Sequence, residues 1–298
     1  NSPKGDHVKD FLPIPKLKEI ADEADELGFI EWDLQGGELL LRPDRLFEAL
    51  DAIKPDRFYL YVTTNGYKVD RKIIKELGKH GVSRMSVSLD SWDADFHDEM
   101  RGRKDSWKRA IQALEYIQEA GMDPYLNVTV GHYNAKSEDL RMLLDYSKKK
   151  RYRTLVNVAC PTGMWNQVHD VVCDEEDIKH IRQLRKEYKN LNRNLWNPFD
   201  QKFEKIMGCT TVNRMYITAL GDVLACPYVH IKIGNVFKNT LKEISDNGFK
   251  IKHFRNYSEK CLAGEDLNFI KKFNSTPGKT IFNPVNAEDI FSKEDFVD

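Results

Sequence analysis

The sequence lacks several features that would place it in a specialised class of protein. No apolar run approaches the roughly 18 residues that a helix needs to span a membrane. An excess of charge of one sign is also missing, since 46 basic and 47 acidic residues give a formal net charge of −1. This balance provides no overall attraction to nucleic acid or to an anionic membrane surface. We therefore expect neither nucleic acid nor a membrane among the partners.

Cysteine is scarce, and the N-terminus does not resemble a signal peptide. The chain has 5 cysteines, all in its second half. An odd number of cysteines without a secretion signal favours a reducing compartment over a disulfide framework, so we expect a cytoplasmic protein. An initiator methionine is absent as well. We expect the chain to begin partway into a longer polypeptide.

Through residue 165, apolar strands alternate with helical segments of about 10–15 residues. This alternation predicts right-handed βαβ units and a parallel sheet. The predicted strands also have a polar face, such as Glu31 and Asp33 on the first and Asn127 and Thr129 on the fourth. The lumen of a closed eight-stranded barrel is filled with branched apolar side chains. A polar face instead favours an open, partial barrel around a polar ligand, or a sheet face exposed to solvent.

Gly36-Gly37-Glu38 follows the first predicted strand and precedes a helix that starts near Pro43. Two glycines at a strand end let the backbone come close to a ligand, because no Cβ intervenes. The Glu38 carboxylate is able to accept hydrogen bonds from an amine. These three residues alone are as consistent with an ordinary strand-to-helix turn as with a binding site.

The second half of the chain contains a predicted β-hairpin between two cysteines. Cys209 and Gly221 bracket eleven residues, and Gly221 and Cys226 bracket four. The hairpin would bring both thiolates together, and soft thiolates are the preferred ligands of iron–sulfur clusters. Structural zinc uses similar thiolate spacings and is the alternative.

The order of these motifs resembles the radical SAM superfamily, and more narrowly its members with a C-terminal SPASM or twitch extension. The resemblance covers nearly the whole chain. It implies an α/β fold, a partial (β/α)₆ TIM-like barrel with a small C-terminal iron–sulfur domain built on a β-hairpin and a helix. Such enzymes bind S-adenosylmethionine (SAM) on a 4Fe–4S cluster and cleave it reductively to a 5′-deoxyadenosyl radical, which abstracts a hydrogen atom from substrate. The matching motifs are Gly36-Gly37-Glu38, Thr64-Asn65-Gly66, Ser86-Val87-Ser88-Leu89-Asp90, Arg101-Gly102 and the cysteine hairpin.

The resemblance implies roles for particular residues. Gly36 and Gly37 would offer backbone to the methionine amino group of SAM, and Glu38 would accept hydrogen bonds from that amine. Arg101 would pair with the methionine carboxylate, a task that suits a guanidinium. The other expected cofactor-binding residues are Thr64 and Asn65, Ser88 and Asp90 near the ribose, and Asn127 and Thr129 along the cavity.

Two departures from the family pattern concern the first half of the chain. Leu39 stands where the family usually has proline after Gly-Gly-Glu, and the C-x₃-C-x₂-C loop that binds the SAM cluster is absent from the 298 residues. We expect that loop, with a first strand, upstream of Asn1. The alternative is a degenerate homologue: a non-catalytic or zinc-stabilised binding protein on the same fold.

Cys209, Cys226 and Cys261 are the ligands that the resemblance implies for one auxiliary 4Fe–4S cluster. The fourth ligand would be a non-cysteine group, absent, or Cys173, whereas Cys160 fits a core position at the end of an apolar strand. Expected partners are a peptide or small-molecule substrate and an electron donor such as flavodoxin or ferredoxin. The expected divisions are a barrel over 1–165, a helical connector over 166–205, the cluster domain over 206–270 and a tail over 271–298 that packs on the body.

Overall fold

The computed structural model describes residues 12–200, 202, 204–275, 279–281 and 283–297. The chain forms two compact units. The sheet unit comprises residues 28–157 and 175–193. The cysteine unit comprises the described residues up to Leu27, Val158–Asp174 and the described residues from Asn194 onward. The domain divisions expected at 165, 205 and 270 stay predictions.

The sheet unit contains a six-stranded sheet in which the strands follow one another in chain order. The strands are parallel and form a half-barrel, so the predicted partial TIM-like barrel is confirmed. The strands are β1 (Glu31–Leu34), β2 (Tyr59–Thr64), β3 (Val82–Ser88), β4 (Asp123–Val130), β5 (Arg153–Val158) and β6 (Leu191–Asn192). The helix before β1, α1 (Ile14–Glu26), belongs to the cysteine unit. The helices of the sheet unit are α2 (Pro43–Ile53), α3 (Arg71–Lys79), α4 (Ala94–Arg101), α5 (Ser106–Glu119), α6 (Glu138–Lys150) and α7 (Glu175–Glu187).

Local sequence signals determine where the helices of this unit begin and end, as α6 illustrates. In α6, the Ser137 side chain accepts a hydrogen bond from the Leu140 N–H at 3.1 Å and so caps the first turn. Acidic residues occupy that turn and three lysines the last one, which complements the helix dipole. Leu140, Leu143 and Leu144 are buried at helical spacing. One face of α6 therefore supplies core, and its first turn remains available for polar contacts.

The predicted polar face of the sheet is partly occupied by a stack of rings and charges. The Arg84 guanidinium lies 4.2 Å from the ring centre of Tyr61 and 3.5 Å from that of Tyr125. The Tyr61 hydroxyl donates to Glu31 at 3.2 Å, and Arg153 donates to the Tyr125 hydroxyl at 3.1 Å. Burial and the Glu31 carboxylate raise the pKa of Tyr61. The cation–π contacts join β2, β3 and β4, and the hydrogen bonds extend the connection to β1 and β5.

The cysteine unit contains a four-stranded sheet in the order β10-β9-β8-β7. The predicted hairpin is confirmed: β7 pairs antiparallel with β8, and Gly221 takes a φ of +82°, a conformation that favours glycine. No helix in the described part of the chain is long and apolar enough to cross a membrane. The elements are β7 (Tyr216–Ile217), β8 (Asp222–Cys226), β9 (Val229–Asn235), α8 (Leu241–Phe249), α9 (Lys252–Arg255), α10 (Leu267–Phe269), β10 (Val285–Asn286) and α11 (Ala287–Ile290).

Candidate functional site

Glu38 is fixed at the carboxyl end of the sheet by hydrogen bonds from the next strand. One carboxylate oxygen accepts from the Thr64 hydroxyl at 2.8 Å and from the Leu40 N–H at 3.1 Å. The other accepts from the Asn65 N–H at 2.8 Å. Three of the predicted site residues, Glu38, Thr64 and Asn65, are therefore in direct contact. Their contacts orient a half-buried carboxylate at the place where β1 and β2 end.

Gly36 and Gly37 lie exposed beside this carboxylate. Neither has a positive φ, so the turn itself does not require glycine at these positions. A Cβ added to Gly37 would meet nothing within 4 Å, and one added to Gly36 would meet the Leu39 side chain at 3.2 Å. The internal packing thus gives no reason for glycine at position 37. A ligand that approaches the backbone would give one.

Asp90 and Arg101 form a buried ion pair beyond the end of β3. Asp90 is 2% exposed; one of its oxygens accepts from the Thr129 N–H at 2.9 Å and the other from the Arg101 guanidinium. The Nε of Arg101 is buried and has no partner among the described residues. Asp90 thus holds Arg101 in place and links it to β4. Asp90 and Thr129, both expected site residues, therefore position Arg101, which is a third.

His97, on α4, completes this arrangement. Its ring is 1% exposed, and its Nδ1 accepts the Asp90 N–H at 3.2 Å. Burial lowers the pKa of His97 to about 4, against an opposing effect of Asp90. The ring is therefore neutral at pH 7 with its proton on Nε2. The sequence offered no signal for this residue, because His97 is the one buried residue of a short polar helix.

Asn127 and Ser88 face each other across β3 and β4 in register. The Asn127 side-chain oxygen accepts from Asn157 at 2.5 Å, a contact that the sequence analysis missed. The half-buried Ser88 hydroxyl has no hydrogen-bond partner in the described part of the chain. The backbone N–H of Thr129 donates to the Asp90 carboxylate, which connects Thr129 to the Asp90–Arg101 pair. Donors and acceptors suited to a ribose therefore lie on adjacent strands.

The loop after β3 is held by one carboxylate from α6. A single oxygen of Asp139 accepts from the Ser91 hydroxyl at 2.9 Å, the Trp92 N–H at 2.9 Å and the Asp93 N–H at 2.8 Å. Asp93 in turn caps α4 by accepting from the Asp95 and Phe96 N–H groups. The helix that ends in Arg101 is thus positioned by this loop.

In the cysteine unit, backbone hydrogen bonds bring the three cysteine segments together. The Cys209 N–H donates to the Ser258 carbonyl at 2.8 Å, three residues before Cys261. The Val212 N–H donates to the Ala225 carbonyl at 2.8 Å, next to Cys226. Burial raises the pKa of the Cys226 thiol, and the neighbouring thiols of Cys261 and Cys209 raise it further. The three predicted ligands therefore lie close to one another.

Cys160 and Cys173 are both buried, each 5% exposed. The Cys160 thiol lies 3.1 Å from the position that a Cβ on Gly264 would take, and it donates to the Val158 carbonyl at 3.4 Å. Cys173 follows Val171 and Val172, which belong to an apolar cluster with Ala159 and Ile270. The core position expected for Cys160 matches its burial, and the fourth cluster ligand stays a prediction.

Comparison with known families assigns both units. The model of the radical SAM superfamily matches residues 3–146, and that of an iron–sulfur cluster-binding domain, SPASM, matches residues 209–263. The second match contains Cys209, Cys226 and Cys261. The chain therefore contains a radical SAM domain and a SPASM domain.

Individual relatives agree with this assignment. The AdoMet-dependent heme synthase of Methanosarcina barkeri is 26% identical over 274 residues, 83% of this chain and 77% of that protein. The GTP 3′,8-cyclase of Trichodesmium erythraeum is 36% identical over 132 residues, 43% of this chain and 39% of that protein. Streptococcus suis SuiB bound to precursor peptide SuiA matches with a TM-score of 0.62 at 18% identity, covering 80% of this chain and 59% of SuiB. At that identity the SuiB match shows the fold alone.

A radical SAM domain implies SAM with a 4Fe–4S cluster, and a SPASM domain implies auxiliary iron–sulfur clusters. The residues of the sheet unit fit SAM: an open space stands beside Gly37, and Arg101 has a buried Nε without a partner among the described residues. The three adjacent thiols fit an auxiliary cluster, since thiolates are its usual ligands. The C-x₃-C-x₂-C ligands of the SAM cluster do not occur within this sequence.

Proposed function

We propose that this radical SAM protein binds SAM at the carboxyl end of its sheet and, with one auxiliary 4Fe–4S cluster, abstracts a hydrogen atom from a peptide or small molecule. The main supporting observation is the Glu38 carboxylate, oriented by Thr64 and Asn65 beside two exposed glycines. A carboxylate held in this way needs no rearrangement to accept an ammonium group. Charge-assisted hydrogen bonds of this kind are the strong ones.

Each site residue has a defined task in this proposal. Glu38 accepts hydrogen bonds from the methionine amine of SAM, while the Gly36 and Gly37 backbone lies against it. Arg101, held on one side by Asp90, presents the rest of its guanidinium to the methionine carboxylate. The Ser88 hydroxyl and the Asn127 amide lie on adjacent strands and serve the ribose, together with Thr129. Both oxygens of the Asp90 carboxylate already accept a hydrogen bond, one from Thr129 and the other from Arg101. The main task of Asp90 is therefore to position Arg101, and any contact with the ribose would share one of these oxygens.

The bound cofactors supply the radical chemistry. When bound, SAM and its 4Fe–4S cluster would supply a 5′-deoxyadenosyl radical for hydrogen-atom abstraction from the substrate, with one electron from a donor such as flavodoxin or ferredoxin. Cys209, Cys226 and Cys261 would hold the auxiliary cluster. The reaction class is that of an oxidoreductase or a maturase. The SuiB structure contains a precursor peptide, and GTP 3′,8-cyclase is named for a nucleotide, so we propose both substrate classes.

The decisive experiment uses the full-length polypeptide, reconstituted anaerobically with iron and sulfide. We expect about eight irons per chain, four for each of two clusters, and 5′-deoxyadenosine after addition of SAM and a strong reductant. Four irons or fewer without deoxyadenosine would contradict the catalytic proposal. The chain would then be a binding protein with one metal site at its three adjacent thiols.

A further inference from the structure

A buried polar cluster lies behind the segment that follows Cys226, and the proposed function does not use it. The cluster consists of His230, Asn274 and Lys279, which are 4%, 1% and 5% exposed. The Lys279 ammonium donates to the Phe273 carbonyl at 3.0 Å and to the Asn274 side-chain oxygen at 3.1 Å. Lysine is almost never buried to this degree unless it is paired. Its burial here therefore requires an explanation.

The cluster holds the backbone turn that carries Cys226. Asn274 donates to the Tyr228 carbonyl at 3.0 Å. His230 Nε2 contacts the Pro227 carbonyl at 3.2 Å, and because a carbonyl only accepts, this nitrogen carries the proton. Pro227 and Tyr228 directly follow Cys226 in the chain. The cluster thus fixes the two carbonyl groups of the turn that begins at this predicted ligand.

Lys279 is the charged member of this cluster. In the described part of the chain its ammonium is partnered by a carbonyl and an amide oxygen, and no carboxylate contacts it. Burial lowers the pKa of Lys279 to about 8, which leaves it mostly protonated at pH 7. Burial and the Lys279 charge lower the pKa of His230 to about 4, so the ring is neutral. The positive charge of Lys279 is therefore connected to the turn after Cys226 by two hydrogen bonds, from Lys279 to Asn274 and from Asn274 to the Tyr228 carbonyl.

We infer that Lys279 is a positioning residue for the auxiliary cluster, which it acts on through Asn274, and that its buried charge favours the reduced form of that cluster. This inference rests on the proposed auxiliary cluster. Reduction adds one electron, and a nearby positive charge in a poorly screened interior stabilises the added negative charge. The reduction potential of an iron–sulfur cluster depends on net charge and on hydrogen bonds to its sulfurs. Lys279 contributes to the net charge, and the Lys279–Asn274–Tyr228 chain of hydrogen bonds holds that charge behind the turn that follows Cys226.

The test is a redox titration at pH 7, followed by electron paramagnetic resonance, on the 298-residue chain reconstituted with iron and sulfide. Its cysteines all lie in the second half, so the signal comes from the auxiliary cluster. In K279M we expect the reduced-to-oxidised ratio at a fixed solution potential to fall about tenfold, which is about 59 mV for a one-electron couple. K279R keeps the charge and should differ from wild type by less than a third of that shift. K271M, the same change at an exposed lysine, is the matched control.

The outcomes separate the inference from the proposed function. If the wild-type chain binds no iron, the auxiliary cluster is wrong and the inference fails with it. If it binds about four irons but K279M has the wild-type potential, the inference alone is wrong and Lys279 only fills space. If K279M loses its cluster, K279Q is measured instead. Loss of the cluster from K279M and K279Q but not from K279R would support the need for charge, and loss from all three would overturn it.

Discussion

The two units hold their candidate functional groups by different means. In the sheet unit, polar side chains follow strands whose spacing is set by the hydrogen-bonded ladder, so Glu38 is held directly by Thr64 and Asn65. In the cysteine unit, the three thiols come from two loops and the end of one short strand. Ordering such loops costs conformational entropy, which metal binding commonly offsets. We therefore expect the sheet edge to be preorganised and the thiol site to depend on its cluster.

The largest effect should come from removing one thiol. Cys226→Ser should eliminate the auxiliary cluster and reduce the iron content by about four atoms per chain, because Cys226 is a proposed ligand whose thiol is near those of Cys261 and Cys209. It should also increase hydrogen exchange in residues 209–263 while β2 to β4 stay protected. Cys160→Ala is the matched control: it should retain all of its iron. Equal iron loss from both variants would show that Cys160 is a cluster ligand as well, and not only a core residue.

The second-largest effect should be a loss of SAM affinity when Glu38, at the carboxyl end of the sheet, is replaced. Glu38→Ala should weaken SAM binding by about 100-fold, since hydrogen bonds to a charged group contribute about 1.5–3 kcal/mol. The fold should persist, because β1 and β2 are joined by their backbone ladder. Isothermal titration calorimetry with SAM measures the affinity, and Glu48→Gln, at an exposed carboxylate on α2, is the control. Unchanged affinity in Glu38→Ala would exclude Glu38 from the cofactor site.

The smallest effect is a pH dependence of stability in the sheet unit. The pKa of His97 is about 4 in the folded chain and near 6.5 when unfolded, so the unfolded state binds more protons between these values. The free energy of unfolding should therefore fall as the pH drops from about 6.5 to 4, by about 2 kcal/mol for this group between pH 7 and pH 5. Urea unfolding at pH 7 and pH 5 measures it.

A variant isolates the part that His97 contributes to this pH dependence. In His97→Asn, the amide oxygen takes the place of Nδ1 as acceptor for the Asp90 N–H, and the side chain no longer titrates. The variant should show a flatter pH profile than wild type. His230 of the cysteine unit also has a pKa of about 4, so its titration should account for part of the pH dependence that remains in this variant. An unchanged profile in His97→Asn would show that His97 is charged or exposed in solution.

The sequence was informative wherever a feature repeats along the chain. Five strand–helix units and the cysteine hairpin were predicted because their apolar spacing and turn glycines are local signals. It missed α4, whose single buried residue is a histidine, and the two-residue strand β6. It also gave no indication of the Asp90–Arg101 pair or of the Lys279 cluster. Those contacts join segments that are distant in the sequence, and a single sequence contains no signal for them.

The carboxylate of Asp139 has a consequence for how a substrate enters. It accepts three hydrogen bonds from Ser91, Trp92 and Asp93, and each bond to a charged group contributes about 1.5–3 kcal/mol. Opening the loop after β3 would break all three, so the open state would be rare at any moment. This loop is therefore unsuited to act as a lid that opens and closes with each turnover. A substrate of the proposed reaction that approached on this side of the sheet would meet a rim fixed by these hydrogen bonds.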